Sequence, residues 1–599
     1  MLHRSPHTFH IPVMGLAFTI DTPIKVARFG ISSVISIVED NLIELMRKHY
    51  YPVINQTYYP IDPLEDDYRA KRITDYLNLV NIIVKGQIEK LKQSSFGAEG
   101  EIDQYFEMLP DNSPLKKTYL QMLATDNMAE KERLSSYLKT TIKPGSIDVN
   151  VMTKIDGNQC SIQGEAIEDG SEAVAALRGY INSNLKNSSI IFSAGLNPRL
   201  YNYLEKCSAF TANEDGSFNK KVTIKVSDYR SALIQGKYLA KKGIWVSEFR
   251  IESGLNCGGH AFATDGFLLG PILEEFKLKR NELEETLFEL YAAALKSKNE
   301  SAIQQPPPLS ITVQGGIGTA EENIFLHRYY GIQSTGWGTP FLLVPEATTV
   351  DNATLKLLAK ATTEDVVLSN NSPLGIRFYY LKGTTGETER IERIIHNKPG
   401  SPCTEKHLAF NTEFTKEPIC TASRKYQHLK IAQLQTLSLP EKEYQNKLAA
   451  VLEKECLCIG LSNAAAINYT LPLVKKLTAV TICPGPNIAY FTKIVSLKKM
   501  VSHIYGRTNI IEGAIRPNMF IIELNLYINY LKEQLANENG KEIDVKRQKY
   551  FDTFLHNLQA GIAYYKTLNF LKEMNNTFFA VLLSCAESIL DEVNIMPLS

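Results

Sequence analysis

Gly254-Leu255-Asn256-Cys257-Gly258-Gly259-His260 is a glycine-rich turn ending in a histidine, and it directly follows the apolar, β-prone segment Ile244 to Ile251. Two later stretches repeat the form. Ile311-Thr312-Val313 runs into Gln314-Gly315-Gly316-Ile317-Gly318-Thr319, and Gly331 to Ser334 is followed by Gly336-Trp337-Gly338-Thr339-Pro340. A strand that opens through glycines toward a helix presents backbone amides at a helix N-terminus, an arrangement suited to phosphate. Three such turns point to a phosphate-bearing cofactor, with His260 over its reactive part.

Working outward from these turns, the chain repeats strand and helix. His10 to Ala17 and Ser32 to Ile37 read as the first two strands, joined by a helix that starts at Pro23, is capped by Thr22 and ends near Gly30. Ile147 to Met152, Ser189 to Ser193 and Val222 to Val226 follow, then Ile244 to Ile251, Ser310 to Val313 and Gly331 to Ser334. Eight strand candidates with helical stretches between most of them predict an α/β fold, a (β/α)8 TIM barrel. Pro306 to Pro308 marks a surface loop before the seventh strand.

Two regions break the rhythm. Between 61 and 145, Ile73, Tyr76, Leu77, Val80 and Val84 recur at helical spacing, and Lys116 to Lys139 is helix-like, which predicts a helical insertion after the second strand. Beyond 370 the pattern turns helical again, with Met519, Ile522, Leu526 and Tyr530 on one face and helix-like segments over 541–566 and 568–590. The expected organisation is a barrel over 1–60 and 146–370, an insertion over 61–145, and a mainly helical, cysteine-containing C-terminal domain over 371–599.

Bulk properties narrow the function classes. Lys+Arg and Asp+Glu balance at 65 each, hydrophobic residues make up 44% and charged residues 22%. This argues against broad attraction to nucleic acid or anionic membrane. No segment approaches the roughly 20 apolar residues that span a bilayer. Met1 to His10 carries three histidines and an arginine without an apolar signal core, so a cytoplasmic protein with reduced thiols is expected from its nine cysteines.

In a barrel of this kind the site lies at the C-terminal ends of the strands, with phosphate in the loops after the seventh and eighth. All three glycine turns then fall on one rim. Gly258-Gly259-His260, Gly315-Gly316-Ile317 and Gly338-Thr339-Pro340-Phe341-Leu342 with Glu346 following resemble, in order, the pattern of the nitronate monooxygenase (2-nitropropane dioxygenase) family of FMN-dependent barrels. That family includes flavin enoyl-[acyl-carrier-protein] reductases and the reductase component of polyunsaturated fatty acid synthases. Val149-Asn150-Val151 and Gly195-Leu196 are further, weaker matches, and Asn256-Cys257 stand where the family has Glu-Ala or Glu-Ser.

The resemblance implies FMN. Gly315, Gly316, Gly338 and Thr339 would bind its phosphate, and Gly258 and Gly259 would form the turn beside it. Gly15, Leu16 and Ala17 would approach the flavin with their backbone, Asn150 would hydrogen-bond flavin or substrate, and Lys225 would face the ring or the phosphate. His260 would act as acid or base, since imidazole titrates near neutral pH. The dinucleotide fingerprint G-x-G-x-x-G after an early strand is missing, which favours FMN over FAD. The activity implied is oxidation of a small acidic carbon substrate such as a nitronate, or NAD(P)H-dependent reduction of a carrier-bound enoyl thioester. The alternative is a flavin-binding barrel that serves as a partner-binding or regulatory module.

Cys403, Cys420, Cys456, Cys458 and Cys483 fall within about eighty residues, in contexts rich in glycine and proline. Thiolates held by turns suit an iron-sulfur cluster or structural zinc. Without a C-x2-C spacing, the same five residues also read as small core residues.

Overall fold

The computed structural model describes residues 5–568 apart from 98–99, 154–155, 161–165, 194, 214–215, 259–264, 301–302, 403–404, 474–476, 512–514 and 539–543. Eight parallel strands close into a barrel in chain order: β1 Phe9–Ile11, β2 Ser32–Ser36, β3 Ile147–Val151, β4 Ser188–Phe192, β5 Lys220–Val226, β6 Val246–Glu252, β7 Ser310–Gln314 and β8 Ser334–Gly336. Closure leaves no sheet edge, so every barrel strand pairs on both sides. The expected α/β TIM-barrel class is what the chain adopts.

Each strand alternates because one side meets the helices and the other the barrel axis. On β6, Phe249 and Ile251 are fully buried, and Phe249 packs toward Gly236 and Leu287 of the surrounding helices Tyr229–Ala240 and Arg280–Ser297. Its other face carries Glu248, Arg250 and Glu252. The register carries that inner face around the barrel, aligning Thr223 and Lys225 with Glu248 and Arg250, and Arg250 and Glu252 with Thr312 and Gln314. Ser334 and Gly336 continue it from Thr312 and Gln314, and His10 pairs with both Gly336 and Ser32.

Segment 61–145 is helical: Tyr68–Gln93, Glu101–Met108, Pro114–Ala124 and Met128–Thr141. Its longest helix buries Ile73, Tyr76, Leu77, Val80 and Val84, the residues singled out by spacing, and packs on helices Asp40–Val53 and Glu172–Asn182. The helices beyond 370 also lie on the barrel. Leu497–Ile504 meets Ala320–Tyr329, and both Met519–Glu538 and Val545–Thr567 meet Leu269–Leu278.

Several local expectations are corrected. The first strand stops at Ile11, before Pro12, which has no N–H to donate to the ladder. The helix after it spans Thr22–Val26 and passes into a 3-10 turn, Ala27–Phe29, closed by Gly30 at φ 78°. Thr22 does not cap it; its hydroxyl donates to the Ala347 carbonyl at 2.7 Å. β8 begins at Ser334 instead of Gly331, whose φ of 66° is incompatible with a strand. Two antiparallel hairpins, Asn158–Cys160 with Ala166–Ser171 and Val366–Ser369 with Phe378–Leu381, were not foreseen. Helix Met519–Glu538 buries Phe520, Leu524, Tyr527, Ile528 and Leu531, while Ile522, Leu526 and Tyr530 are only partly buried. The expected helix over 568–590 lies outside the described residues, as only Leu568 is described.

Candidate functional site on the barrel rim

The axis of the barrel is charged. At the end of β6, Glu252 Oε1 accepts from Lys225 Nζ at 3.1 Å, Gln314 Nε2 at 2.7 Å and Asn256 Nδ2 at 2.8 Å. One layer down, Glu248 Oε1 accepts from Arg250 Nε at 2.8 Å and Thr312 Oγ1 at 2.5 Å. Burial alone would raise the Glu248 carboxyl, but Arg250 beside it holds it down at about 2. His10 is pushed down to about 3, first by burial and then by Arg250, so its imidazole is neutral. Burial pushes the Asp148 carboxyl up to about 6.

This inner face has hydrogen-bonding capacity that the described residues do not use. Asn150 Oδ1 and Ser36 Oγ are buried without a partner among them, while His10 faces the Gln314 side chain. A buried polar atom left unpaired is costly, so these atoms mark where a polar ligand group would be received.

Above that face, the glycine turns pack onto one another. A Cβ on Gly315 would meet the Asn256 backbone at 3.0 Å, one on Gly338 would meet Cys257 at 3.3 Å, and one on Gly258 would meet the Gly15 nitrogen at 2.7 Å. The loop carrying Gly15, Leu16 and Ala17 therefore joins the turns after β6, β7 and β8 on one rim. Gly316 is required there, because its φ is +80° and a Cβ would press to 2.5 Å from Leu255 Cδ1.

Segments from beyond residue 450 lie across these turns. The Cys483 carbonyl accepts from Gly258 N at 3.1 Å and from the Cys257 thiol at 3.0 Å. The Thr339 hydroxyl donates to the Pro484 carbonyl, and Asn487 Nδ2 donates to the Ile317 carbonyl at 2.9 Å. Arg516 donates to the Gly316 carbonyl at 2.5 Å and pairs with Glu322 at 2.7 Å, both side chains 2% exposed. Ala17 N donates to the Leu461 carbonyl at 3.0 Å, and Glu346 accepts from Leu497 N.

The helix N-terminus after β7 is also engaged. Thr319 and Glu322 form a capping box, and Glu322 Oε2 accepts from Gly318 N at 2.8 Å and Thr319 N at 3.2 Å. A carboxylate of the chain itself thus stands where an anion would be favoured. Behind it, Glu523 accepts from Ser253 Oγ at 2.9 Å, Gly254 N at 3.3 Å and Leu269 N at 2.7 Å. Burial raises this carboxyl to about 7 despite those three donors.

His260 and Gly259 lie outside the described residues, as does Cys403. The remaining cysteines do not form one group. Cys420, Cys456 and Cys458 line a cavity of about 270 Å³ with Lys406, Leu408 and Ser423, whereas Cys483 sits against Cys257 at the rim. Among the described residues, no three cysteines bring their sulfurs within 4.8 Å of one another; the one set of His, Cys, Asp or Glu side chains that does so is Glu39, Glu405 and His407.

The sequence reading missed Glu252, His10, Gln314 and Glu523. For Glu252 a signal existed: Glu248-Phe249-Arg250-Ile251-Glu252 alternates charged and apolar residues on a strand, which puts three charges on one face.

Fold and rim together define a parallel eight-stranded barrel with a polar interior, its C-terminal end built from glycine turns. The chain matches no protein-family model and shows no significant match to a curated protein. Among the described residues, no helix is long and apolar enough to cross a membrane.

Proposed function

We propose that the chain is an FMN-dependent oxidoreductase of the nitronate monooxygenase and enoyl reductase type. The observation that carries this reading is the packing of the Gly15 loop and the turns after β6, β7 and β8 onto one rim. Beneath it lie the unpaired Asn150 Oδ1 and Ser36 Oγ. These buried acceptors and the Lys225 cation suit the polar edge of a flavin ring. Gly15, Leu16, Ala17, Asn150, Lys225 and Gly258 are the residues that would hold that side, and Gly315, Gly316, Gly338 and Thr339 those that would hold the phosphate.

Bound there, FMN would supply hydride and one-electron chemistry. The chain's own residues would orient and tune. Lys225 is fixed by Glu252, and Glu252 in turn fixes Gln314 and Asn256, so the inner face is preorganised. His260 is the proposed acid or base toward the substrate, a small molecule or a carrier-bound acyl group.

A specific observation favours the second reading, a flavin-binding barrel with little turnover that serves a partner. Pro484, Asn487 and Arg516 occupy hydrogen-bonding groups of the phosphate-side turns. One preparation of the full chain tests both readings. Cofactor released by heat and separated by chromatography should be FMN, about one per chain; FAD, or no flavin after reconstitution, overturns the flavin reading. With FMN bound, turnover of a nitronate or an enoyl thioester supports the enzyme, and stoichiometric FMN without turnover supports the module.

A further inference from the structure

Beyond the barrel, the chain folds back on itself over 400–423 and encloses a cavity of about 270 Å³ against helix Leu457–Gly460. Backbone ties fix this wall. Ser401 N donates to the Ala422 carbonyl at 2.8 Å, and Asn411 and Ile419 exchange both backbone bonds at 3.0 and 2.8 Å. Gly400 takes a φ of +84°, and a Cβ there would press to 2.7 Å from the Arg424 backbone. Ser423 then caps helix Arg424–Thr436.

The lining divides by chemistry. Leu408, Ala422, Leu457 and Cys458 make a buried, apolar floor. The exposed lining residues are Lys406, Glu417, Pro418 and Lys425, so the charges stand at the opening and cations exceed anions. Among the described residues, neither lysine side chain makes a hydrogen bond or an ion pair. Lys406 also reaches the cavity from an unfavourable backbone. Its φ is 58°, and six of the other seven non-glycine residues with positive φ among the described residues are Asn or Asp, which tolerate that region best. On either side of it the chain is fastened to the barrel: Glu405 accepts from Asn41 Nδ2 at 2.7 Å, and His407 lies between Glu39 and Glu172. The strained turn between these anchors presents Lys406 to the cavity, and strain of this kind collects at ligand-binding positions.

We propose that this cavity binds a medium-chain carboxylate, its carboxylate at Lys406 and Lys425 and its chain on Leu408, Ala422 and Leu457. A water takes about 30 Å³ in the liquid, so the volume suits a ligand of roughly nine heavy atoms. Apolar burial supplies the affinity and the two ammonium groups fix which end faces out. An inorganic anion would leave the floor uncovered, and an uncharged chain would gain nothing from the lysines. The site is independent of the flavin reading, although it lies close to the rim: Leu461, one turn beyond Leu457, gives its carbonyl to Ala17 N at 3.0 Å.

Octanoate is the probe, and octan-1-ol is its uncharged counterpart. Isothermal titration of the full chain should show about one octanoate per chain, bound more tightly than octan-1-ol. Replacing both Lys406→Ala and Lys425→Ala should weaken octanoate at least about tenfold, the loss of a hydrogen bond between charged groups, and leave octan-1-ol unchanged. Ala409→Phe, which fills the cavity from a partly exposed wall, should abolish binding of both; should it fail to fold, the exposed lysines decide alone. Loading the chain with FMN should leave octanoate in place, which separates this cavity from the rim. A wild-type chain that binds no octanoate at about 1 mM overturns the proposal. So does a double lysine variant that binds octanoate as well as wild type, octan-1-ol bound as tightly as octanoate, or octanoate displaced by FMN.

Discussion

The two sides of the rim treat charge in opposite ways. After β6, β7 and β8 the anion-favouring groups are already satisfied: Glu322 takes the amides of Gly318 and Thr319, and Arg516 neutralises Glu322. After β2 and β3, Glu39 and Glu172 flank His407 at 3.5 and 3.4 Å; burial alone would lower its imidazole, but the two carboxylates raise it to about 10 and hold it as a cation. On the first side, closed by the chain itself, a buried carboxylate is held by backbone amides and an arginine, and on the second a buried imidazolium is held by two carboxylates. Breaking the buried Arg516–Glu322 pair should therefore cost far more stability than removing a half-exposed contact at the edge of the acidic side.

The largest effect is expected from Arg516→Ala. It leaves the buried Glu322 carboxylate without its cation and detaches the segment that lies over Gly316. Breaking one partner of a buried pair costs about 3–5 kcal/mol, read as a lower urea midpoint at unchanged slope. A loss below about 1 kcal/mol would mean that Glu322 is solvated and the closed side is open in solution.

Gly316→Ala comes next, at about 2–4 kcal/mol. The left-handed φ of +80° penalises any side chain, and the new methyl must displace Leu255 from a packed turn. Gly331→Ala serves as the control, with φ of +66° but nothing within 4 Å of its Cβ. If the two variants lose equal stability, the tight packing of the rim turns is wrong.

These contrasts also explain what could be read from the chain. Strands β3, β5, β6 and β7 were legible because each presents apolar residues outward at period two, whereas β8, Ser-Thr-Gly, has no apolar residue and was marked only by the glycines around it. Phe378–Leu381 was not legible, since Phe-Tyr-Tyr-Leu is buried throughout and carries no alternation. The glycine turns announced the rim, but their covering did not, because Thr339 meets Pro484 across 145 residues and Ser253 meets Glu523 across 270. No local period encodes such pairings. Asn256 stands where an acid would precede Cys257, and Glu252 supplies a carboxylate from the strand itself that binds Asn256 directly.

Glu523, buried behind the closed side, gives that side a pH signature. Its folded value of about 7 lies above the ordinary 4.5, so between these values the folded chain holds a proton that the unfolded chain releases. Stability from this group is complete below pH 4.5 and falls as pH rises to 7. Asp148, raised to about 6, acts in the same sense. His7 and His10, lowered to about 4 and 3, act oppositely, weakening the fold as pH drops below 6.5. The whole-protein curve mixes these signs, so the comparison must be with Glu523→Gln. From pH 5 to pH 8 the wild type should lose about 2–3 kcal/mol relative to that variant. A difference that does not change with pH would show that the carboxyl is already ionised in the fold.

The smallest effect is expected on the acidic side. Asn41 lies in the first turn of helix Asp40–Val53, where alanine is at least as good a helix former, and its amide donates to Glu405 Oε2 while its carbonyl accepts from Arg72. Asn41→Ala should leave the urea midpoint nearly unchanged, because Arg72 keeps Asp40 and the Ile61 carbonyl as partners. A loss above about 1 kcal/mol would mean that the Asn41–Glu405 bond carries the packing of the 405–407 segment on the barrel.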